Sequence, residues 1–383
     1  MKKIRVGVVG VGVMGNSHAR QLLEGQIARA ELTAVSDSSP QRLQPFKGRV
    51  QTFTAADKML RSGLLDAVII ASPHYDHTIS GRLALQQGLH VLVEKPISVH
   101  KADCQRLLAA HRSKRQVFAA MFNNRTLPCY AKLRQLVAEG ELGALRRIVW
   151  ITTDWFRTDT YYAMGGWRAT WRGEGGGVLM NQCPHQLDLL QWIAGLPARL
   201  RAFCYFGKYH SIEVEDDVTA YLEYANGATG VFIATTGEAP GTNRLELTGD
   251  RGRVIVEHEK IRFTRNTTPM DEYCRKSPEA FGKPDVWQVE IPASAPALIQ
   301  HRAIIQNFVD AILDKVPLIA PAAEGIHSVE LANAMIYSSI KDQWVDLPLN
   351  AASYERLLKE LIKRPPARWQ PSGRRSQPRR RRQ

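Results

Sequence analysis

Residues 4 to 15, IRVGVVGVGVMG, constrain this chain more than any other stretch. The short valine-rich run reads as a buried strand, and Gly10, Gly12 and Gly15 follow it in the spacing G-x-G-x-x-G. Behind them NSHARQLLEG has helical spacing and stops at Gly25, while ELTAVSD makes a second strand ending in Asp37, 22 residues past Gly15. That order of strand, glycine turn, helix and terminal acid describes a βαβ unit that holds a dinucleotide. Gly10 permits the tight turn, Gly12 lets the backbone approach a pyrophosphate, and Gly15 allows close helix packing. The helix N-terminus adds free N–H groups and positive dipole for the anion. An Asp at position 37 accepts hydrogen bonds from a ribose 2′-OH and repels a 2′-phosphate, which favours NAD over NADP; Arg42 nearby softens that preference.

The same alternation continues through LLDAVIIASP, HYDHTISGRLALQQG, LHVLVEKP and QVFAAM, to about residue 122. Strands alternating with helices predict an α/β Rossmann domain with a parallel, doubly wound sheet over residues 1–122. Beyond it the rhythm changes. A helix over Tyr130–Glu139 and a strand at RRIVWITTDW lead into RLRAFCYFG, DVTAYLEYANGATGVFIATT, NRLELTGDRGRVIVE and KIRFTR. Asn226-Gly227 and GDRG mark tight turns, so residues 123–362 are expected to form an α+β domain with a mostly antiparallel sheet. Helical patterns return in ALIQHRAIIQNFVDAILD and EGIHSVELANAMIYSSIKDQW.

A length of 383 residues suits two cores better than one. The net charge of +14 invites a nucleic-acid reading until it is located. Residues 363–383 hold nine of the lysines and arginines and no acid, so without them the charge falls to +5. That Pro- and Arg-rich tail is expected to be disordered, and a nucleic-acid partner is not. Five cysteines without CxxC spacing fit reduced thiols and a cytoplasmic protein. No segment approaches the roughly 18 consecutive apolar residues of a membrane span, so no membrane partner is expected.

Three features carry candidate chemistry. Lys95, in Glu94-Lys95-Pro96, follows an apolar strand and is expected at the carboxyl end of the sheet, where ligands bind. In GEGGGVLMNQCPHQLDLL, helical spacing puts Asn181, His185 and Asp188 on one face, with Pro184 making that register approximate. The three glycines admit close approach to a bound molecule, and His185 suits a hydroxyl that loses a hydride and a proton. The competing reading, a core histidine and an ion-paired Asp188, is evenly matched from the segment alone. Upstream, DWFRTDTYYAMGGWRATWR interleaves aromatics with arginines, which suits a sugar's C–H faces and its polar groups. His74 and His77 have HxxH spacing but no third ligand, so no metal is expected.

Taken together, GVVGVGVMGNSH, ASPHYDH, GLHVLVEKPIS, GGWRATWRGEGGGVLMNQCPHQLDLLQW and GTNRLELTGDRG resemble the glucose–fructose oxidoreductase / inositol dehydrogenase (Gfo/Idh/MocA) family, over roughly residues 4 to 360. The resemblance implies a Rossmann domain followed by a domain with a large open sheet whose face serves homodimer or homotetramer contacts. It implies that Lys95 and His185 flank the substrate hydroxyl and that the Lys95–Pro96 bond is cis. The cofactor set it implies is Gly10, Gly12, Val13, Met14, Gly15, Asp37, Ser72, His74, His77, Glu94 and Lys95. Arg157, Tyr161, Trp167, Arg168, Asn181 and His185 are the substrate set. Two residues depart from the family pattern: Asn181 stands where many members carry Asp, and His74 where many carry Asn. Asn181 cannot take a proton, so the acid/base role falls to His185, with Lys95 stabilising alkoxide charge.

The expected activity is NAD-dependent hydride transfer to or from a secondary hydroxyl of a sugar, cyclitol or sugar derivative. Two alternatives are glycoside cleavage through transient oxidation, recognisable by copurifying NAD, and a non-catalytic dinucleotide-binding regulator. The presence of both Lys95 and His185 argues against the regulator.

Overall fold

The computed structural model describes residues 3–164, 166–293 and 300–363. Among them the strands form two sheets. The first contains β1 (Ile4–Val9), β2 (Ala30–Ser36), β3 (Gln51–Phe53), β4 (Ala67–Ile70), β5 (His90–Val93) and β6 (Phe118–Ala120), in the order β3-β2-β1-β4-β5-β6. Every pairing in it is parallel. Val68, Ile69, Ile70, Val91, Leu92 and Val93 are fully buried, as expected where helices cover both faces of a sheet. The order reverses between β1 and β4, which opens a crevice at the carboxyl ends of those strands.

The second sheet contains β7 (Leu145–Thr152), β8 (Arg199–Phe206), β9 (Glu215–Glu223), β10 (Thr229–Thr235), β11 (Asn243–Gly249), β12 (Gly252–Glu257), β13 (Lys260–Asn266), β14 (Val286–Ile291) and β15 (Val345–Asp346). Its order is β14-β13-β12-β11-β7-β10-β9-β8-β15. It is antiparallel except where β10 runs parallel to β7, a pairing that the tight-turn pattern did not announce. The long crossover through residues 153–198, with its helices, makes that pairing possible. Burial alternates along β8 and β9. The inner face packs on the helix Gly325–Lys341, against which the helix Pro184–Ala194 packs in turn, and the outer face carries exposed Phe203, Tyr205 and Tyr221.

The C-terminal helices return to the first sheet. Ala120 N–H donates to the Ala320 carbonyl at 2.9 Å, Lys101 Nζ meets Glu330 at 2.5 Å, and Arg29 pairs with Asp310 and Asp314 on the helix Gln300–Asp314. A final helix, Ala351–Lys363, packs beside the helix Lys101–Leu108, with Arg106 bonded to Glu355. Lys363, expected to open the tail, ends this helix; the rest of the expected tail lies outside the described residues. No helix among the described residues is long and apolar enough to cross a membrane.

Candidate active site

The glycine turn sits at the crevice between β1 and β4. Gly10 has φ +80°, and a Cβ there would lie 2.8 Å from backbone atoms of Ala71 and Ser72. A Cβ on Gly15 would overlap the Gly10 carbonyl oxygen, so the helix Val13–Leu23 can approach its strand only without one. Around Gly12 no atom lies within 4 Å of the place a Cβ would take, and Val13 beside it is 81% exposed. This open backbone at a helix N-terminus, with the partnerless buried hydroxyl of Ser72 across from it, fits a diphosphate. Met14 is half-buried on the first turn. Asp37 closes the turn, its carboxylate accepting from Val11 N–H at 3.0 Å and Ser39 N–H at 2.9 Å, with Arg42 3.6 Å away. Its remaining acceptor capacity is what a ribose needs.

Lys95 lies one residue beyond the end of β5, after Glu94, in a cis peptide bond with Pro96. Its Nζ donates to the backbone carbonyl of Asn181 at 3.0 Å. Burial draws the ammonium below its ordinary 10.5, against the opposing charges of Glu94 and Glu174. Glu94 is anchored by His18, whose Nε2 lies 2.7 Å from it. Burial, the largest single effect, pushes that carboxyl up, but the hydrogen bond from His18 and the charges of His18, Lys95 and His301 together outweigh it and hold Glu94 at about 2. His77 lies between the Pro96 carbonyl at 2.8 Å and the Ser72 carbonyl at 2.7 Å, so backbone from two loops occupies both ring nitrogens' surroundings. His74 faces the Glu174 carbonyl at 3.3 Å, with the Trp167 ring edge-on at 5.7 Å, and burial holds it neutral, near 3.

The glycine-rich segment folds as two helices, Val178–Asn181 and Pro184–Ala194, the second starting at Pro184. The room its glycines leave is filled by protein, not by the bound molecule that the sequence suggested. A Cβ on Gly175, whose φ is +77°, would strike Val99; on Gly176 it would sit 2.6 Å from Met180 Cγ, and on Gly177 it would strike the Glu215 carbonyl. The Glu215 carboxyl accepts from Gly177 N–H at 2.8 Å and Leu179 N–H at 3.1 Å, and burial lifts it to about 7.

His185 stands at the start of the second helix, 8% exposed, with Phe122 edge-on at 6.2 Å. Burial and then the Lys95 charge hold its pKa well below 6.5, so it is a neutral base in ordinary buffer. Asp188 leaves this group altogether. It receives two hydrogen bonds from Arg125, at 2.7 and 2.6 Å, in a fully buried ion pair that Glu324 joins from the far side. Asn181 Nδ2 donates to Glu174, and its Oδ1 accepts from the Tyr161 hydroxyl at 3.5 Å. Arg168 donates to the same hydroxyl at 3.0 Å, lies 3.8 Å from Glu174, and stacks over Trp167 at 4.8 Å. Arg157 covers Tyr161 at 5.0 Å.

Sequence reasoning passed over His18, Glu174, Gln182 and Arg125. Glu174 precedes the glycine run, and His18 lies inside the first motif; only their partners, far along the chain, give them a role. The structure thus brings Lys95, Asn181, His185, Tyr161, Trp167, Arg168 and His74 together beside the crevice of the glycine turn.

Comparison with known proteins places the fold in a family. Residues 4–122 match the oxidoreductase family with an NAD-binding Rossmann fold, and residues 130–255 match the GFO/IDH/MocA C-terminal domain. The chain is 29% identical over 286 residues to 1-carboxy-3-chloro-3,4-dihydroxycyclohexa-1,5-diene dehydrogenase of Comamonas testosteroni, covering 72% of this chain and 68% of that one. It is 34% identical over 150 residues to inositol 2-dehydrogenase 1 of Saccharopolyspora erythraea, covering 37% of this chain and 43% of the relative. Among solved structures, the WlbA dehydrogenase from Chromobacterium violaceum in complex with NADH and UDP-GlcNAcA is similar with a TM-score of 0.79 at 26% identity, covering 91% of this chain and 97% of that one. The chain belongs to the Gfo/Idh/MocA family of NAD-binding oxidoreductases.

Proposed function

We propose that this oxidoreductase acts on a secondary hydroxyl of a sugar, cyclitol or sugar derivative, with His185 as the proton acceptor. The observation that carries the reading is the bond from Lys95 Nζ to the Asn181 carbonyl, which sets an amine from the end of β5 beside the segment that bears His185. NAD, when bound at the glycine turn, supplies the hydride acceptor. His185, neutral because it is buried beside Lys95, takes the hydroxyl proton. The Lys95 ammonium has N–H groups beyond the one that Asn181 uses, and these stabilise the alkoxide. Asn181, held by Glu174, orients the hydroxyl and leaves the proton to His185. Arg157, Tyr161, Trp167 and Arg168 form the wall against which the ring lies.

The relatives above are named as dehydrogenases, which favours net redox chemistry over glycoside cleavage and over a regulator. The exposed aromatics on the outer sheet face, Phe203, Tyr205 and Tyr221, support a homodimer or homotetramer. The test is a panel of sugars, inositols and sugar acids offered with NAD and NADP, read by reduced-nicotinamide absorbance. Turnover of at least one member of the panel with NAD is expected, and silence across the panel sinks the reading.

A further inference from the structure

Arg157 is a fixed cation with an unused edge. Its N–H donates to the Thr236 carbonyl at 2.9 Å, and its own carbonyl faces His210 Nε2 at 2.9 Å. The other nitrogen of that ring lies 3.1 Å from Asp216. With the backbone held on both sides, the guanidinium lies over two rings, Trp155 at 5.2 Å and Tyr161 at 5.0 Å. Nη1 donates to the Phe156 carbonyl at 2.9 Å. Nε is buried and has no partner, and among the described residues no Asp or Glu forms an ion pair with this side chain. Arg168 differs: Glu174 lies 3.8 Å from it, and its Nη1 already serves Tyr161.

The aromatic bracket is tied to the reacting groups. The Tyr161 hydroxyl reaches Asn181 and accepts from Gln182 Nε2 at 3.2 Å. Trp155 Nε1 lies 3.3 Å from the Gln186 amide, which accepts from it when its oxygen is turned that way, and Gln186 adjoins His185. With Nη1 occupied, the edge left is Nε with Nη2, two nearly parallel donors that match the two oxygens of a carboxylate. A buried donor without an acceptor is costly, and a ligand oxygen that reaches it removes the cost. Tyr161, whose ring lies 5.0 Å from the guanidinium carbon, stands on the short helix Asp159–Ala163, in which no residue is buried.

We propose that Arg157 binds a carboxylate on the substrate, so that the preferred substrate is a sugar acid or cyclitol acid and not a neutral polyol. This rests on the oxidoreductase reading above and adds the substrate class to it. The experiment compares kcat/KM for D-glucuronate, D-glucose and glucose 6-phosphate, and for gluconate and glucitol, in the wild type, Arg157→Gln and Arg157→Lys. In the wild type the acid of each pair is favoured by about 10- to 100-fold, the worth of a charge-assisted bond. That ratio collapses in Arg157→Gln through KM and is only partly kept in Arg157→Lys, which retains the charge without the fork. Fluorescence of bound NADH checks that each variant is folded, and if Arg157→Gln is not, Arg157→Lys carries the comparison. An acid-to-neutral ratio at or below one, a ratio unmoved in the variants, or a preference for the phosphate overturns the assignment. Turnover of neutral sugars alone overturns this inference only, whereas no turnover at all removes the oxidoreductase reading with it.

Discussion

Lys95 donates to the backbone carbonyl of Asn181 across 3.0 Å, and the two residues are 86 positions apart in the chain. One follows a strand of the first sheet and the other ends a short helix beneath the second. That contact sets the ammonium beside a base whose protonation it opposes, because Lys95 is the charge that most depresses His185. A buried imidazole held neutral beside an ammonium is an arrangement suited to taking the proton of an alcohol.

Replacing His185 with Ala is expected to lower kcat by about 10²- to 10⁴-fold while NADH still binds. In the wild type, burial depresses the imidazole, so kcat/KM is flat through pH 6.5 and falls only well below it. The Lys95 ammonium, also drawn down, is lost below 10.5 and supplies the alkaline limb. An acid limb centred at or above 6.5 would remove His185 from the role.

Lys95→Met keeps the stem and deletes the charge. Turnover falls by about 10²- to 10³-fold if the ammonium stabilises alkoxide. The acid limb of the pH profile also moves up, because His185 loses the neighbour that opposes its proton. Kinetics that fall with the limb unmoved would mean the two groups do not communicate.

Asp37→Asn tests the cofactor preference. The carboxylate holds two backbone N–H groups and lies 3.6 Å from Arg42. The variant is expected to bind NAD about tenfold more weakly. Its kcat/KM ratio shifts toward NADP, whose phosphate then meets Arg42 without repulsion. An unchanged ratio would show that the acid serves the turn alone.

Arg125→Met strands Asp188 in the core without its partner. Burial pushes that carboxyl up, against the pull of Arg125. Loss of one member of a buried pair costs about 3–5 kcal/mol, and an apolar replacement of both costs much less. Calorimetry should show a lower Tm for Arg125→Met that Arg125→Met/Asp188→Leu largely restores.

Glu215 predicts a stability trend with a definite sign. Its folded value, lifted to about 7 by burial, exceeds the ordinary 4.5, so the unfolded chain gives up this proton first. The contribution is therefore complete below pH 4.5 and is lost as pH rises to about 7. In Glu215→Gln this loss is absent, and the difference in urea midpoint between the two proteins should move in favour of the variant from pH 5 to pH 8. A constant difference would refute it.

The dinucleotide turn was readable because its constraints are local. Gly10, Gly12, Gly15 and Asp37 sit at fixed spacings on one βαβ unit, and the strand-end position of Lys95 follows from the same alternation. The contacts of Glu174, His18 and Arg125 were not readable, since each depends on a partner that only folding brings near. Arg125 and Asp188 are 63 positions apart, and nothing in the local pattern of either announces the other. Helical spacing placed Asp188 with Asn181 and His185, but the break at Gln182 and Cys183 turns it toward Arg125 instead. The parallel pairing of β10 with β7 was hidden for a similar reason, because turn signals describe neighbours in sequence only.

The fold-back of the C-terminal helices decides how the cleft can work. Ala120 with Ala320, Lys101 with Glu330 and Arg29 with Asp310 stitch the end of the chain to the nucleotide half along a continuous seam. These contacts resist a hinge motion between the halves, and a nucleotide module cut at residue 122 would lose them. Traffic into the cleft then falls to the aromatic loop around Tyr161, and swapping that loop is the economical route to a new specificity on an unchanged frame.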